Sequence, residues 1–215
     1  MKGKVLLLGL VALCGPIAAQ MVQRQTPDGS VRVTVPANWS LTGAAGKVVS
    51  DAPDASAGFL FTTFEVLPPG RLAQLAGPAA IVSPYQSPAQ AVAFFWQRFG
   101  NRNIRIISSQ PDGQSSLQCT ASIARPCEAA DVMLEWVAPS GAACVGSFKV
   151  LNARPDNIGQ WFSIVGGIWG SQTNFAAQLP VLQTIASSFS INNRDAQDYI
   201  RQGLLRLEQM RTNMP

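Results

Sequence analysis

A helix that must bury one face against a sheet is the strongest constraint on what this chain can become. Ser87 opens it, Pro88 takes the first helical position, Gln90 completes a Ser-x-x-Gln capping box, and Gly100 stops it. The apolar positions 91, 92, 95, 96 and 99 share one stripe, so Val92, Phe95, Trp96 and Phe99 are expected to pack onto a sheet. The flanking sequence supplies that sheet. Runs with a period of two or dense in β-branched and aromatic residues occupy 30–35, 47–50, 58–67, 103–108, 130–138, 142–151 and 160–169. Pro139-Ser-Gly141 joins two of them as a hairpin, which makes the sheet mostly antiparallel. A second helix is expected to start near Pro180, carrying Val181, Leu182, Ile185 and Ala186 inward, with Phe189 closing the domain. Gly166-Gly167 within the last strand indicates a bulge or a close backbone approach. It lacks the GxGxxG spacing and the P-loop lysine of phosphate-binding turns. The class is therefore α+β, with a single mostly antiparallel sheet packed between helices.

The first nineteen residues read as an export signal: Lys2 and Lys4, an apolar run from Val5 to Cys14, then Gly15-Pro16 and Ala18-Ala19. The run is too short to span a bilayer, and no later stretch approaches the roughly 20 apolar residues required. Cys14 is a possible lipid site, disfavoured by Leu13, a large residue where a lipoprotein cleavage site takes a small one. The expected organisation is a signal peptide over 1–19, one α/β domain over 20–192 and an amphipathic helix over 193–215, in a periplasmic or secreted protein. An oxidising compartment permits disulfides, and the short segment between Cys119 and Cys127 marks them as a pair. Cys144 then falls on the inward face of a strand as a small buried hydrophobe.

The chain has no histidine. This removes the usual base at neutral pH, the His-dependent triads and imidazole-based zinc or copper sites. No metal or cofactor is indicated. Hydrophobic residues make up 47% and charged residues 13%, a globular composition. Two of the sixteen basic residues lie in the leader and the acids number twelve, leaving about +2, which does not indicate nucleic-acid binding. An acid–base hydrolase would need two of Glu65, Glu128, Asp131 and Glu135 to converge in a cleft.

The order of elements resembles the PsbP-like alpha/beta/alpha sandwich, a group that includes DcrB-like bacterial envelope proteins. The resemblance rests on Val33-Thr-Val-Pro-Ala-Asn-Trp39, on Ser87-Pro88 opening a Phe- and Trp-rich helix, and on the run from Leu179 to Phe189. It covers roughly residues 27 to 191 and implies a fold whose members look like adaptors, assembly factors and small binding modules. They share no catalytic constellation that could be carried over.

Beyond that pattern, Ala196, Ile200, Leu204, Leu207 and Met210 form one apolar face in the tail, flanked by Arg201, Arg206 and Arg211. Such a helix either folds back on its own domain or docks on a partner or membrane surface. The Pro/Gly/Ala-rich connection over 68–87 is long enough to suggest binding. No acid occurs between Glu65 and Asp112, so Arg71, Tyr85, Arg98, Arg102 and Arg105 are the expected partner-binding residues. The leading expectation is a non-catalytic binding or adaptor module of the bacterial envelope, with a protein or envelope component as partner. The alternative is a small-molecule carrier whose cavity is lined by Trp136, Trp161 and Trp169.

Overall fold

The computed structural model describes residues 20–192; the expected leader and the expected helix over 193–215 lie outside the described residues. Seven strands hydrogen-bond in the order β3 (Thr42–Ala44), β4 (Lys47–Asp51), β5 (Ala57–Leu67), β10 (Trp161–Ser171), β9 (Ala143–Ala153), β8 (Cys127–Val137) and β7 (Arg102–Pro111). All of these neighbours are antiparallel; β6 (Ile81–Val82) adds one parallel pairing at the end of β5. The expected strand at 30–35 joins a second sheet, in which β1 (Met21–Gln25) and β11 (Ser190–Ile191) flank β2 (Val31–Pro36).

Alternation decides which face each residue takes. On β8, Ala130, Val132, Leu134 and Trp136 are buried on one face while Asp131, Met133 and Glu135 take the other. Their partners on β9 repeat the pattern, with Cys144, Phe148 and Val150 inward and Ser147 and Lys149 outward. The inward face is covered by α2 (Pro88–Arg98), whose Val92, Phe95 and Trp96 are buried. Phe95 stacks on Phe64 with ring centroids 4.1 Å apart, and Trp96 meets Phe148 at 4.5 Å. Burial of each such ring contributes about 1.5–3 kcal/mol. The capping box of Ser87 and Gln90 forms as expected. Phe99 packs only in part: Gly100, with φ of 84°, ends the helix at Arg98, and Phe99, beyond the last turn and 53% exposed, keeps ring contacts to Phe64 at 5.8 Å and Trp96 at 6.1 Å.

The opposite face carries two helices. α4 (Phe175–Ser188) packs its buried Leu182 and Ile185 between β5 and the small sheet, where Val31, Val33, Val35 and Phe59 complete a second core. It begins five residues before the expected proline, and Pro180 lies inside it. Phe175 rests over Gly170, where even a Cβ would come within 3.2 Å of its ring, so packing carries the helix upstream through a residue that breaks its ladder. Ala186 faces solvent instead of the core.

The second helix of that face, α3 (Gly113–Ile123), and the short α1 (Arg71–Ala76), set in the 68–87 connection, were absent from the sequence reading. Neither buries a residue, so neither shows an apolar period. Gly166-Gly167 is a close approach and not a bulge. The register of β10 runs unbroken against both neighbours, and a Cβ on Gly167 would lie 2.2 Å from the Phe148 ring.

Candidate functional site

α3 is held by polar and covalent contacts. Cys119, on the helix, is bonded to Cys127 at the start of β8, as expected. The Ser116 hydroxyl accepts from the Ala129 amide, and Thr120 Oγ1 accepts from the Cys127 amide. Asp112 caps the helix by accepting from the Ser115 amide at 3.0 Å and from Lys149 Nζ at 2.6 Å. Lys149 and then Ser115 hold the Asp112 carboxyl well below the usual carboxylate range. Asp28, which accepts from Thr26, the Ala45 amide and Ser30, is held low in the same way. A carboxyl whose pKa is depressed by folding stabilises the protein above its unfolded value, near 3.8, and that stability is lost as pH falls toward the folded value. Thermal midpoints should therefore be flat between pH 7 and 5 and fall below about pH 4. Asp112→Asn should shallow that fall; an unchanged slope would show that Asp112 has no part in it.

A groove runs between α2 and β7, with a volume of about 760 Å³. β7 is an edge strand, and its register slips twice, between Arg102 and Arg105 and between Ile106 and Ser108. Asn103 sits at the first slip with φ of 52°, a left-handed conformation that asparagine tolerates. The slips turn the edge away from a regular ladder and open space beside the helix. Phe94, Ile104 and Ile106 make the apolar lining, and Ile106 is 41% exposed.

The carboxamides of this groove divide into used and free. Gln90 serves the helix cap, Asn101 Nδ2 donates to the Trp96 carbonyl at 2.9 Å, and Gln86 Nε2 donates to Ser83 Oγ at 2.6 Å. Gln97 and Asn103 carry no side-chain hydrogen bond within the described residues, and Arg102 has neither a hydrogen bond nor an ion pair there. No acid lines the groove.

Of the expected partner-binding residues, only Arg102 lines it. Arg98 reaches back to the Ala80 carbonyl at 3.1 Å. Arg105 points to the other face of the sheet, paired with Glu135. Arg71 starts α1 and is exposed. Tyr85 is half-buried edge-on to Trp161, and burial, followed by the charge of Glu128, pushes its hydroxyl up to about 12. The five residues do not form one patch.

The tryptophans of the carrier alternative are packing residues. Trp161 is fully buried against Phe95 and Tyr85, and Trp136 stands edge-on to Trp96. Trp169 is partly buried, its ring seated where Gly58 has no side chain. None of the three lines the α2–β7 groove.

The four carboxylates do not converge. Glu128 pairs with Arg154, Asp131 with Lys149 and Glu135 with Arg105, while Glu65 is exposed on β5. Cys144 is buried as expected, and burial pushes its thiol upward. No helix among the described residues is long and apolar enough to cross a membrane.

No family model and no curated protein matches the chain. Solved structures are similar to it in fold. Cyanobacterial PsbP (CyanoP) from Synechocystis sp. PCC 6803 aligns at 13% identity over 86% of this chain and 100% of that chain, with a TM-score of 0.37. The Saccharomyces cerevisiae Ran-binding protein Mog1p aligns at 10% identity over 81% and 96%, with a TM-score of 0.39.

Proposed function

We propose that this chain is an exported, non-catalytic binding module of the bacterial envelope that holds a segment of a protein partner in the α2–β7 groove. One observation carries the reading. The groove combines an apolar lining with free carboxamides and an unpaired guanidinium, the mixture of many apolar and few oriented polar groups that binding sites use. The carboxylates available for acid–base work are separated and, on β8, each tied to a cation.

The test is site-specific photo-crosslinking in the envelope of a producing cell. A photoreactive residue at Ala93, in the groove, is expected to give a discrete adduct that Phe94→Glu abolishes. The same residue at Ser147, exposed on the opposite face, should give none. Equal adducts at both positions, or none at Ala93, would remove the reading.

A further inference from the structure

We infer that the occupant of the α2–β7 groove is an extended peptide segment carrying a carboxylate beside a branched apolar side chain. This rests on the binding-module reading above and adds the chemistry of the partner. Three observations select it.

The first is charge. The groove has Arg102 as its one lining cation and no lining acid, and the sequence from Val66 to Pro111 contains no Asp or Glu. An anionic group meets attraction here and no like charge. The number of free cations then separates peptide from phosphate polymers. A nucleic acid or an anionic lipid surface is held by several cations acting together. Among the described residues Arg102 is the one cation that lines this groove; Arg98 donates to the Ala80 carbonyl outside it, and Arg105 is paired with Glu135 on the far face. One guanidinium suits one carboxylate, which it can grip with two parallel hydrogen bonds.

The second is the pair of free carboxamides. Gln97 on the helix wall and Asn103 on the strand wall each offer a donor and an acceptor, the same groups that a peptide backbone presents. Phe94, Ile104 and Ile106 lie among them and give an apolar side chain somewhere to go.

The third is the shape of β7. A peptide could in principle extend the sheet along this edge, because no strand pairs with β7 on its outer side among the described residues. The two register slips at 102–108 interrupt the even ladder that such an addition needs. Recognition therefore falls to the side chains of the groove, with the segment lying between helix and strand.

The experiment is an amide NMR titration of the full chain with two blocked heptapeptides. One is Thr-Val-Glu-Leu-Asp-Val-Thr; the other replaces its Glu and Asp by Lys. The acidic peptide is expected to shift amides across residues 86–106. Its affinity should fall about threefold to fivefold on Arg102→Gln, the loss of one exposed charge pair, and should fall further as salt rises. The lysine peptide should shift none of these amides.

Equal response to both peptides, or no response to either, would overturn the occupant. Vesicles of anionic phospholipid or a single-stranded oligonucleotide shifting the same amides at lower concentration would overturn it in favour of a phosphate surface. The groove itself is judged separately, by the Ala93 crosslink. An adduct at Ala93 to a segment without carboxylates would leave the groove as a binding site and reject the acidic peptide. Absence of any adduct at Ala93 in the otherwise unaltered chain rejects both.

Discussion

Phe95→Ala is expected to lower the free energy of unfolding by about 3–5 kcal/mol, a large share of the roughly 5–15 kcal/mol that holds a domain together. Phe95 is fully buried on the inward face, stacked on Phe64, tilted against Trp161 and edge-on to Phe94. Truncation would remove its own transfer free energy and leave a cavity walled by three aromatic rings that cannot all turn inward. Urea unfolding followed by tryptophan fluorescence reads the change directly, since Trp96 and Trp161 lie in the same cluster. A loss below about 1 kcal/mol would mean that α2 slides to refill the space, against the close packing described here. Phe95→Leu serves as the control: it keeps most of the volume and should cost distinctly less.

The second large effect is expected at the disulfide. Cys119→Ser with Cys127→Ser should cost about 2–3 kcal/mol in the chain-entropy account, given a sequence separation of 8. The local consequence should exceed the global one. α3 buries none of its own residues, so without the bond it is left with side-chain hydrogen bonds at Ser116 and Thr120 and the Asp112–Lys149 pair. Hydrogen exchange should therefore accelerate first in residues 113–123, while β9 and β10 keep their protection. If α3 and the central strands lose protection together, the helix is part of the main cooperative unit and its polar attachment has been undervalued.

These two sites also show what can be read from the sequence and what cannot. α2 was legible to its cap, because Ser87, Pro88, Gln90 and Gly100 are local signals and the apolar stripe names its buried face. The β8–β9 hairpin was equally plain from its turn. α3 was not, because a helix that buries nothing has no apolar period to detect; only Asp112 with Ser115 three positions on hinted at a cap. The start of α4 was misplaced because proline usually opens helices, and here the seat of Phe175 over Gly170 overrode that preference.

The groove was the least legible feature. Arg102 was on the expected list, but Phe94 lies off the helix stripe, and Ile104, Asn103 and Gln97 draw no attention singly. The usable signal was Ile106-Ile107, two adjacent apolar residues where strict alternation allows one. That pair marks the register slip at the edge strand.

The pairing of β5 with β10 has a consequence for how the molecule comes into being. Ala57 lies opposite Gly170 and Val66 opposite Trp161, so the middle of the sheet joins segments roughly a hundred residues apart, and closing such a loop is entropically costly and slow. Until residue 161 and those after it have been supplied, β5 lacks its main partner and Phe64 and Val66 have no completed core to enter. An emerging chain of this sequence is thus held open by its own topology. For a chain exported as proposed above, slow closure of this pairing would favour the unfolded state that a translocation pore admits.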